Sequence, residues 1–270
     1  MSTAISASLV KELRDRTGAG MMDCKRALEE TEGDLEAARV LLRERGLASA
    51  GKRADRATTE GLVGYILEDQ VASIAGIGCE TEPVSNNEEF QAFATHVLRA
   101  VHADGRATVE GFEDERVELV AKLGENIVIV AAERFEAPEG NVLGAYAHPP
   151  ANKIGALVEL QGGTPEFARR LAMHVSFAAP EWAAREDVPS EVVEAERAIF
   201  VNSDEVQSKP EAAREKIVDG MLAKRFFAAT PGGVLAEQTW IHDAGQTVAK
   251  ALEAEGASVA RFVRISVAGS

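Results

Sequence analysis

A glycine-rich turn near the start of the chain is the first place where residue types could do chemistry. The stretch from Gly20 to Lys25 contains a glycine and a lysine, as phosphate-binding loops do, but it lacks the second glycine of such a loop. The segment 152–155, Asn-Lys-Ile-Gly, begins like a guanine-reading motif but lacks the aspartate. The sequence therefore predicts that the chain is not itself a GTPase.

Potential ligands and nucleophiles are scattered along the chain. No two histidines have the i, i+4 spacing of a helical metal site, and there is no nucleophile elbow or redox cysteine pair. We expect no catalytic residue, no metal and no cofactor; a hydrolase with a concealed carboxylate pair is the least favoured alternative. The histidines are His96, His102, His148, His174 and His242.

Composition restricts the choice of partner and compartment. The 270 residues include 44 acidic and 29 basic side chains, giving a formal charge of -15 that repels phosphate backbones. Cys24 and Cys79 have apolar neighbours, which favours buried thiols over a disulfide between them. No signal peptide is recognisable, and no apolar run approaches the roughly 20 residues of a membrane span. We expect a cytoplasmic protein that binds neither nucleic acid nor membrane directly.

The elements that must position these residues begin with three helices in residues 1–50. Apolar residues recur at helical spacing in each helix. Asp34 is expected to cap the third helix and Gly46 to end it. The basic segment 50–56 is then a linker or an exposed helix tail. Residues 1–54 are thus predicted to form a three-helix domain with its linker.

From residue 58 onwards a pattern of hairpin, helix and strand occurs twice. Strand-like runs at 62–67 and 71–77 precede a helix at 88–102, a helix at 113–123 and a strand at 127–132. Runs at 142–146 and 154–160 then precede a helix at 165–177, and a helix at 247–255 and a strand at 259–265 end the chain. His96 and His174 fall at equivalent positions of the two helices, which favours structural roles. The pattern predicts an α+β core of two pseudo-repeated antiparallel-sheet and helix halves, 55–140 and 141–185 plus 229–270.

A helical hairpin is inserted into the second half at residues 186–228. The break at Ser208-Lys209-Pro210 separates its two helical stretches, and proline suits the first turn of the second. Apolar residues of the first stretch, Ile199 among them, are expected to face those of the second. Such a hairpin is equally compatible with packing on the core and with docking, and docking would allow a homodimer or a heterotetramer with a partner.

Several blocks of residues resemble bacterial elongation factor Ts, in the order of that family. The most specific is the run from Leu13 to Leu28, which joins two helices through Gly18-Ala19-Gly20 and places Met21 and Met22 at the turn. Further similar blocks are 80–94, 121–127, 146–158 and 186–194. The first domain also resembles ubiquitin-associated helical modules.

The resemblance implies a guanine-nucleotide exchange factor for the GTPase elongation factor Tu, in its GDP-bound and nucleotide-free states. It implies an exchange loop that disturbs the Mg²⁺ and phosphate site of the GTPase, formed here by Thr81, Glu82, Pro83 and Val84. It also implies contacts with the GTPase by a second set of residues, although we expect at least one of the two methionines to fill the core of the first domain. That set is Met21, Met22, Lys25, Leu123, Gly124 and His148.

The exchange loop departs from the better-known family pattern of an aspartate followed by a phenylalanine. Glu82 keeps the carboxylate on a longer arm, and Pro83 stiffens the loop but lacks the aromatic ring. The alternative function is therefore a scaffold that binds elongation factor Tu with weak or no exchange activity.

Overall fold

The computed structural model describes residues 5–267. It has the predicted α+β class, with helices at the N-terminus followed by two three-stranded sheets. By its internal contacts the chain forms two compact units. One unit extends up to Gly64 and also contains Ala75–Ala132, and the other contains Tyr65–Ile74 and Glu133–Ile265.

The first three helices are α1 (Ala7–Thr17), α2 (Met21–Glu30) and α3 (Leu35–Arg53). The Asp34 carboxylate accepts hydrogen bonds from the backbone N–H groups of Glu36 and Ala37, which confirms the predicted cap of α3. Gly18 ends α1 in the left-handed conformation, with φ 67°. The helices enclose a small apolar core of Val10, Leu13, Cys24, Ala27, Leu28 and Ala38.

The prediction that Gly46 ends the third helix is wrong, because α3 continues to Arg53. Gly46 lies inside the helix, where a Cβ would be 3.2 Å from the Cβ of Ala121 on α6 (Glu113–Leu123). The glycine therefore permits close packing between α3 and α6 rather than a change of chain direction. The basic segment at 50–53 is the tail of this helix.

The first sheet has the order β1-β2-β3, formed by Glu60–Glu68, Val71–Cys79 and Ile127–Glu136. Asp69 and Gln70 alone connect β1 to β2, as in a tight hairpin. One turn of helix, α4 (Glu82–Ser85), and the long α5 (Glu88–Asp104) follow β2. A 3₁₀ helix precedes α6. Helices α5 and α6 bury the apolar residues of the first sheet; the cluster includes Ile77, Phe90, Phe93, Val97, Val120 and Ile127.

The second sheet has the order β4-β5-β6, formed by Asn141–Ala147, Ile154–Gln161 and Ser258–Ser266. Strands β4 and β5 are antiparallel, with Gly144 opposite Val158. Helices α7 (Pro165–Ala178) and α11 (Val248–Glu255) contribute to its core. That core includes Val158, Leu160, Phe167, Leu171, Val175 and Trp240.

The inserted hairpin consists of α8 (Ser190–Val201), the short α9 (Asp204–Gln207) and α10 (Glu211–Met221), which continues as π-helix to Phe227. Val206, Val218, Met221 and Leu222 are buried in its own apolar cluster. Ile199 was expected to face the second stretch, but it is 62% exposed because it lies on the outer side of α8. None of the described helices is both long and apolar enough to cross a membrane.

Candidate partner-binding site

The predicted exchange loop is one turn of helix at the end of β2. Thr81 occupies the N-cap position of α4, and Pro83 lies in its first turn, where a missing N–H costs nothing. Glu82 and Pro83 are exposed, whereas Val84 is buried against the core of the first sheet. The turn therefore presents one carboxylate and one rigid apolar ring to the solvent from a fixed base.

Leu123 and Gly124 lie beside this exchange turn, at the end of α6. Gly124 ends the helix in the left-handed conformation, with φ 75°, and is exposed. Leu123 is half-buried against the first-sheet core. The next residue, Glu125, accepts hydrogen bonds from the Thr81 hydroxyl at 2.5 Å and from the Thr81 backbone N–H at 3.0 Å. The structure thus brings together two of the segments that the sequence singled out.

Met21 and Met22 lie in the first turn of α2, where they are 47% and 62% exposed. The expectation that at least one of them fills the small core is wrong. Cys24, Ala27 and Leu28 already supply the buried face of this ten-residue helix, so both thioethers lie outside it. Lys25 is also exposed, with its ammonium 3.7 Å from the Glu29 carboxylate.

Lys122 connects the turn before α2 with the end of α6. Its side chain lies so close to Gly18 that a Cβ there would be 3.0 Å away, and its ammonium is 2.6 Å from the Glu89 carboxylate. Within this unit, the end of α6 therefore neighbours the α1–α2 turn through Lys122 and the exchange turn through Glu125. The sequence analysis missed both residues, because each resembles an ordinary solvent-facing charge.

His148 belongs to the other unit and lies in the turn between β4 and β5. Its Nδ1 is 2.8 Å from the Tyr146 hydroxyl, and its ring meets that of Phe177 edge-on at 4.8 Å. Phe177 is 51% exposed at the end of α7, so the two rings form an exposed aromatic pair. The sequence analysis did not identify Phe177 as a site residue. A phenylalanine outside the apolar face of its helix could have indicated an exposed contact residue.

Burial shifts the pKa values of two titratable groups in the interior towards their neutral forms. Burial is the main cause that raises the pKa of the Cys24 thiol, and Cys24 and Cys79 are free and buried. Burial is also the main cause that lowers the pKa of His174, against a hydrogen bond to Gln238 that raises it. Within residues 5–267, no group of three or more His, Cys, Asp or Glu side chains is arranged to hold a metal ion.

Comparison with known proteins gives the family. A family model described as elongation factor TS matches residues 80–269. The elongation factor Ts of Thioalkalivibrio sulfidiphilus is 41% identical over 97% of this chain and 92% of its own length. The elongation factors Ts of Alkalilimnicola ehrlichii and Salmonella newport are 41% and 40% identical, over 98% and 97% of this chain and 92% and 91% of their own lengths.

Most of the candidate residues are exposed at helix ends and turns of an α+β fold, as in a factor that acts through protein contacts; Val84 is buried and Leu123 half-buried. The chain belongs to the elongation factor Ts family. This membership makes it a translation elongation factor, and the family's general role is nucleotide exchange on elongation factor Tu.

Proposed function

We propose that this chain binds elongation factor Tu and accelerates GDP release by pressing the exchange turn, Thr81–Val84, towards the Mg²⁺ and phosphate site of the GTPase. The observation that carries the proposal is the arrangement of this turn. Glu82 and Pro83 project into solvent, while Val84 is buried and Thr81 is hydrogen-bonded to Glu125. A turn anchored in this way can displace groups of a partner while keeping its own conformation.

Reciprocal coupling explains how binding alone would release nucleotide. If the chain binds nucleotide-free elongation factor Tu more tightly than the GDP form, GDP and the chain weaken each other by the same factor. Each tenfold weakening corresponds to about 1.4 kcal/mol. Mg²⁺ requires near-octahedral coordination, so a small displacement of its ligands weakens its binding. The chain would then need no catalytic residue. It would act in the cytoplasm.

The remaining candidate residues supply affinity. Exposed methionines make adaptable apolar contacts, so Met21 and Met22 suit a partner surface that changes with its nucleotide. Lys25 adds a cation at the same helix turn, and Leu123 and Gly124 would add contacts beside the exchange turn. His148, with the neighbouring ring of Phe177, would provide a separate contact in the other unit.

The test measures release of a fluorescent GDP analogue from elongation factor Tu at fixed Mg²⁺, with catalytic amounts of the chain. Glu82→Ala combined with Pro83→Ala should lower the maximal release rate about tenfold and weaken binding to nucleotide-free elongation factor Tu much less. The matched control is Pro138→Ala with Glu139→Ala, which removes an exposed proline and an exposed glutamate from the turn before β4.

Two outcomes would count against the proposal. Equal losses of rate and affinity in the Glu82/Pro83 variant would mean that the turn contributes only to binding. A stable complex of the wild-type chain without faster GDP release would favour the scaffold function instead.

A further inference from the structure

Three hydrogen bonds converge on the carboxylate of Glu125, just after the end of α6. Its Oε2 accepts from the backbone N–H groups of Glu80 at 3.1 Å and of Thr81 at 3.0 Å. Its Oε1 accepts from the Thr81 hydroxyl at 2.5 Å. One side chain therefore accepts hydrogen bonds from the three donors of Glu80 and Thr81, where β2 ends and the exchange turn begins. Hydrogen bonds to a charged acceptor are stronger than those between neutral groups.

The same two segments are bonded in the opposite direction by Glu80. Its Oε1 accepts from the backbone N–H of Asn126 at 2.7 Å, and the Arg56 guanidinium lies 3.4 Å from its Oε2. Each segment thus contributes a carboxylate that accepts from the other segment's backbone. Such reciprocal bonds fix two chain segments in both position and register, because neither can slide without losing bonds at both ends.

Asn126 extends the connection to the linker that follows α3. Its side-chain amide donates to the carbonyl oxygens of Ala54 at 3.3 Å and Arg56 at 2.8 Å. Asn126 is only 2% exposed, so these bonds are shielded from water, and leaving its amide unpaired would be costly. The linker, the end of β2 and the turn after α6 therefore form one hydrogen-bonded block within their unit.

We infer that Glu80, Glu125 and Asn126 form a clamp that positions the exchange turn, with Glu125 as its central positioning residue. The inference rests on the proposed function. Glu82 and Pro83 can displace groups in a partner only if the backbone that carries them keeps its position on contact. The clamp fixes that backbone. In this arrangement Thr81 donates hydrogen bonds to Glu125 within the clamp and does not contact the partner.

The first experiment compares Glu125→Ala and Glu125→Gln in the GDP-release assay. Glu125→Ala removes both carboxylate oxygens, and with them all three hydrogen bonds. It should lower the maximal rate about tenfold, with a smaller change in the concentration needed for half-maximal rate. Glu125→Gln keeps a carbonyl acceptor for the two N–H groups, so it should recover most of that rate. Glu139→Ala, at an exposed turn outside the clamp, is the control.

A subtler variant guards against loss of folding. Thr81→Val removes one hydrogen bond and keeps the shape of the side chain, so it should fold normally and lower the maximal rate about threefold. In the free proteins, amide hydrogen exchange at Glu80, Thr81 and Asn126 should be faster in Glu125→Ala than in wild type. This second measurement requires no partner.

The outcomes separate the clamp from the proposed function. If the wild-type chain fails to accelerate GDP release, the proposed function is wrong, and hydrogen exchange still tests whether the clamp exists. If the wild-type chain is active and Glu125→Ala matches it in maximal rate, the positioning role is wrong. Equal losses of rate and affinity in Glu125→Ala, or no recovery in Glu125→Gln, would also overturn it.

Discussion

The helix α5 over the first sheet and the helix α7 over the second carry histidines at equivalent positions, in very different surroundings. His96 is exposed on α5, with its Nδ1 3.0 Å from the Glu115 carboxylate. His174 on α7 is fully buried, with Nε2 3.0 Å from the Gln238 side-chain oxygen and its ring beside that of Trp240. The two halves thus share a sequence pattern, but different segments pack against the histidine of each helix.

The difference arises from residues far away in the sequence. Gln238, which accepts the bond from His174, also donates to the carbonyl oxygens of Ala178 at 3.1 Å, Ala229 at 2.9 Å and Gly232. The segment around Gln238, which follows the inserted hairpin, thereby packs against one side of α7 and excludes solvent from it. On α5, by contrast, His96 remains exposed, although the ring of Phe112 lies 4.9 Å from its ring. A repeated pattern therefore determines a helix and its apolar face, while the neighbouring segments decide the role of each polar residue.

The largest expected contrast between the halves comes from two glycines at corresponding places in β1 and β4. A Cβ at Gly144 would lie 2.7 Å from the Arg169 backbone N and still closer to the Ala168 carbonyl, so α7 would have to move away from the sheet. A Cβ at Gly64 would meet only the mobile end of Leu98, at 3.1 Å. Gly144→Ala should lower the free energy of unfolding by about 3 kcal/mol, and Gly64→Ala by about 1 kcal/mol or less, as measured by urea denaturation. Similar losses would show that the two helices approach their sheets equally closely.

A smaller contrast is expected between two glutamines. Gln238→Ala should lower the free energy of unfolding by about 2 kcal/mol, because buried carbonyls and His174 lose their partner. Gln91→Ala on α5 removes an exposed side chain with one long bond, at 3.4 Å, to the Ser85 carbonyl oxygen. Its cost should stay within about 0.5 kcal/mol. A Gln238→Ala protein as stable as Gln91→Ala would contradict the sealing role of Gln238.

The smallest contrast concerns pH. The side-chain nitrogen of Gln238 faces carbonyl groups, so its oxygen accepts from His174 Nε2, and the backbone N–H of Ile241 donates to Nδ1 at 3.4 Å. The neutral ring fits this arrangement, and burial lowers the pKa of His174 from the ordinary 6.5. In the unfolded chain the residue binds its proton more readily, so its contribution to stability is complete above pH 6.5. It falls as the pH drops below that value and is lost once the pH passes the lowered pKa.

Urea unfolding from about pH 7.5 down to about pH 5.5 tests this dependence across the histidine range. The stability of wild type relative to His174→Gln should decrease on acidification, with a slope of at most about 1.4 kcal/mol per pH unit. Every other titratable group is common to the two proteins, so the difference between their curves reports His174. A His174→Gln protein with an unchanged curve would show that His174 does not titrate differently on folding.

Local patterns determined much of this protein before any tertiary contact was known. The spacing of apolar residues gave α1, α2, α5, α6 and α7, and the cap at Asp34 gave the start of α3. The repeated run of hairpin, helix and strand predicted the two antiparallel sheets. These features depend on neighbours within a few residues, so the sequence specifies them directly. The blocks beginning at Leu13 and Glu80 were specific enough to indicate the family.

Tertiary structure alone decided which side chains are exposed, bonded or enclosed. Gly46 permits a helix contact instead of ending a helix, and Met21 and Met22 are both exposed because Cys24, Ala27 and Leu28 already fill the small core. Glu125 meets Thr81 across 44 residues, and Gln238 meets His174 across 64. Burial and hydrogen-bond partners of this kind arise when distant segments pack together, and no local pattern of residues encodes them.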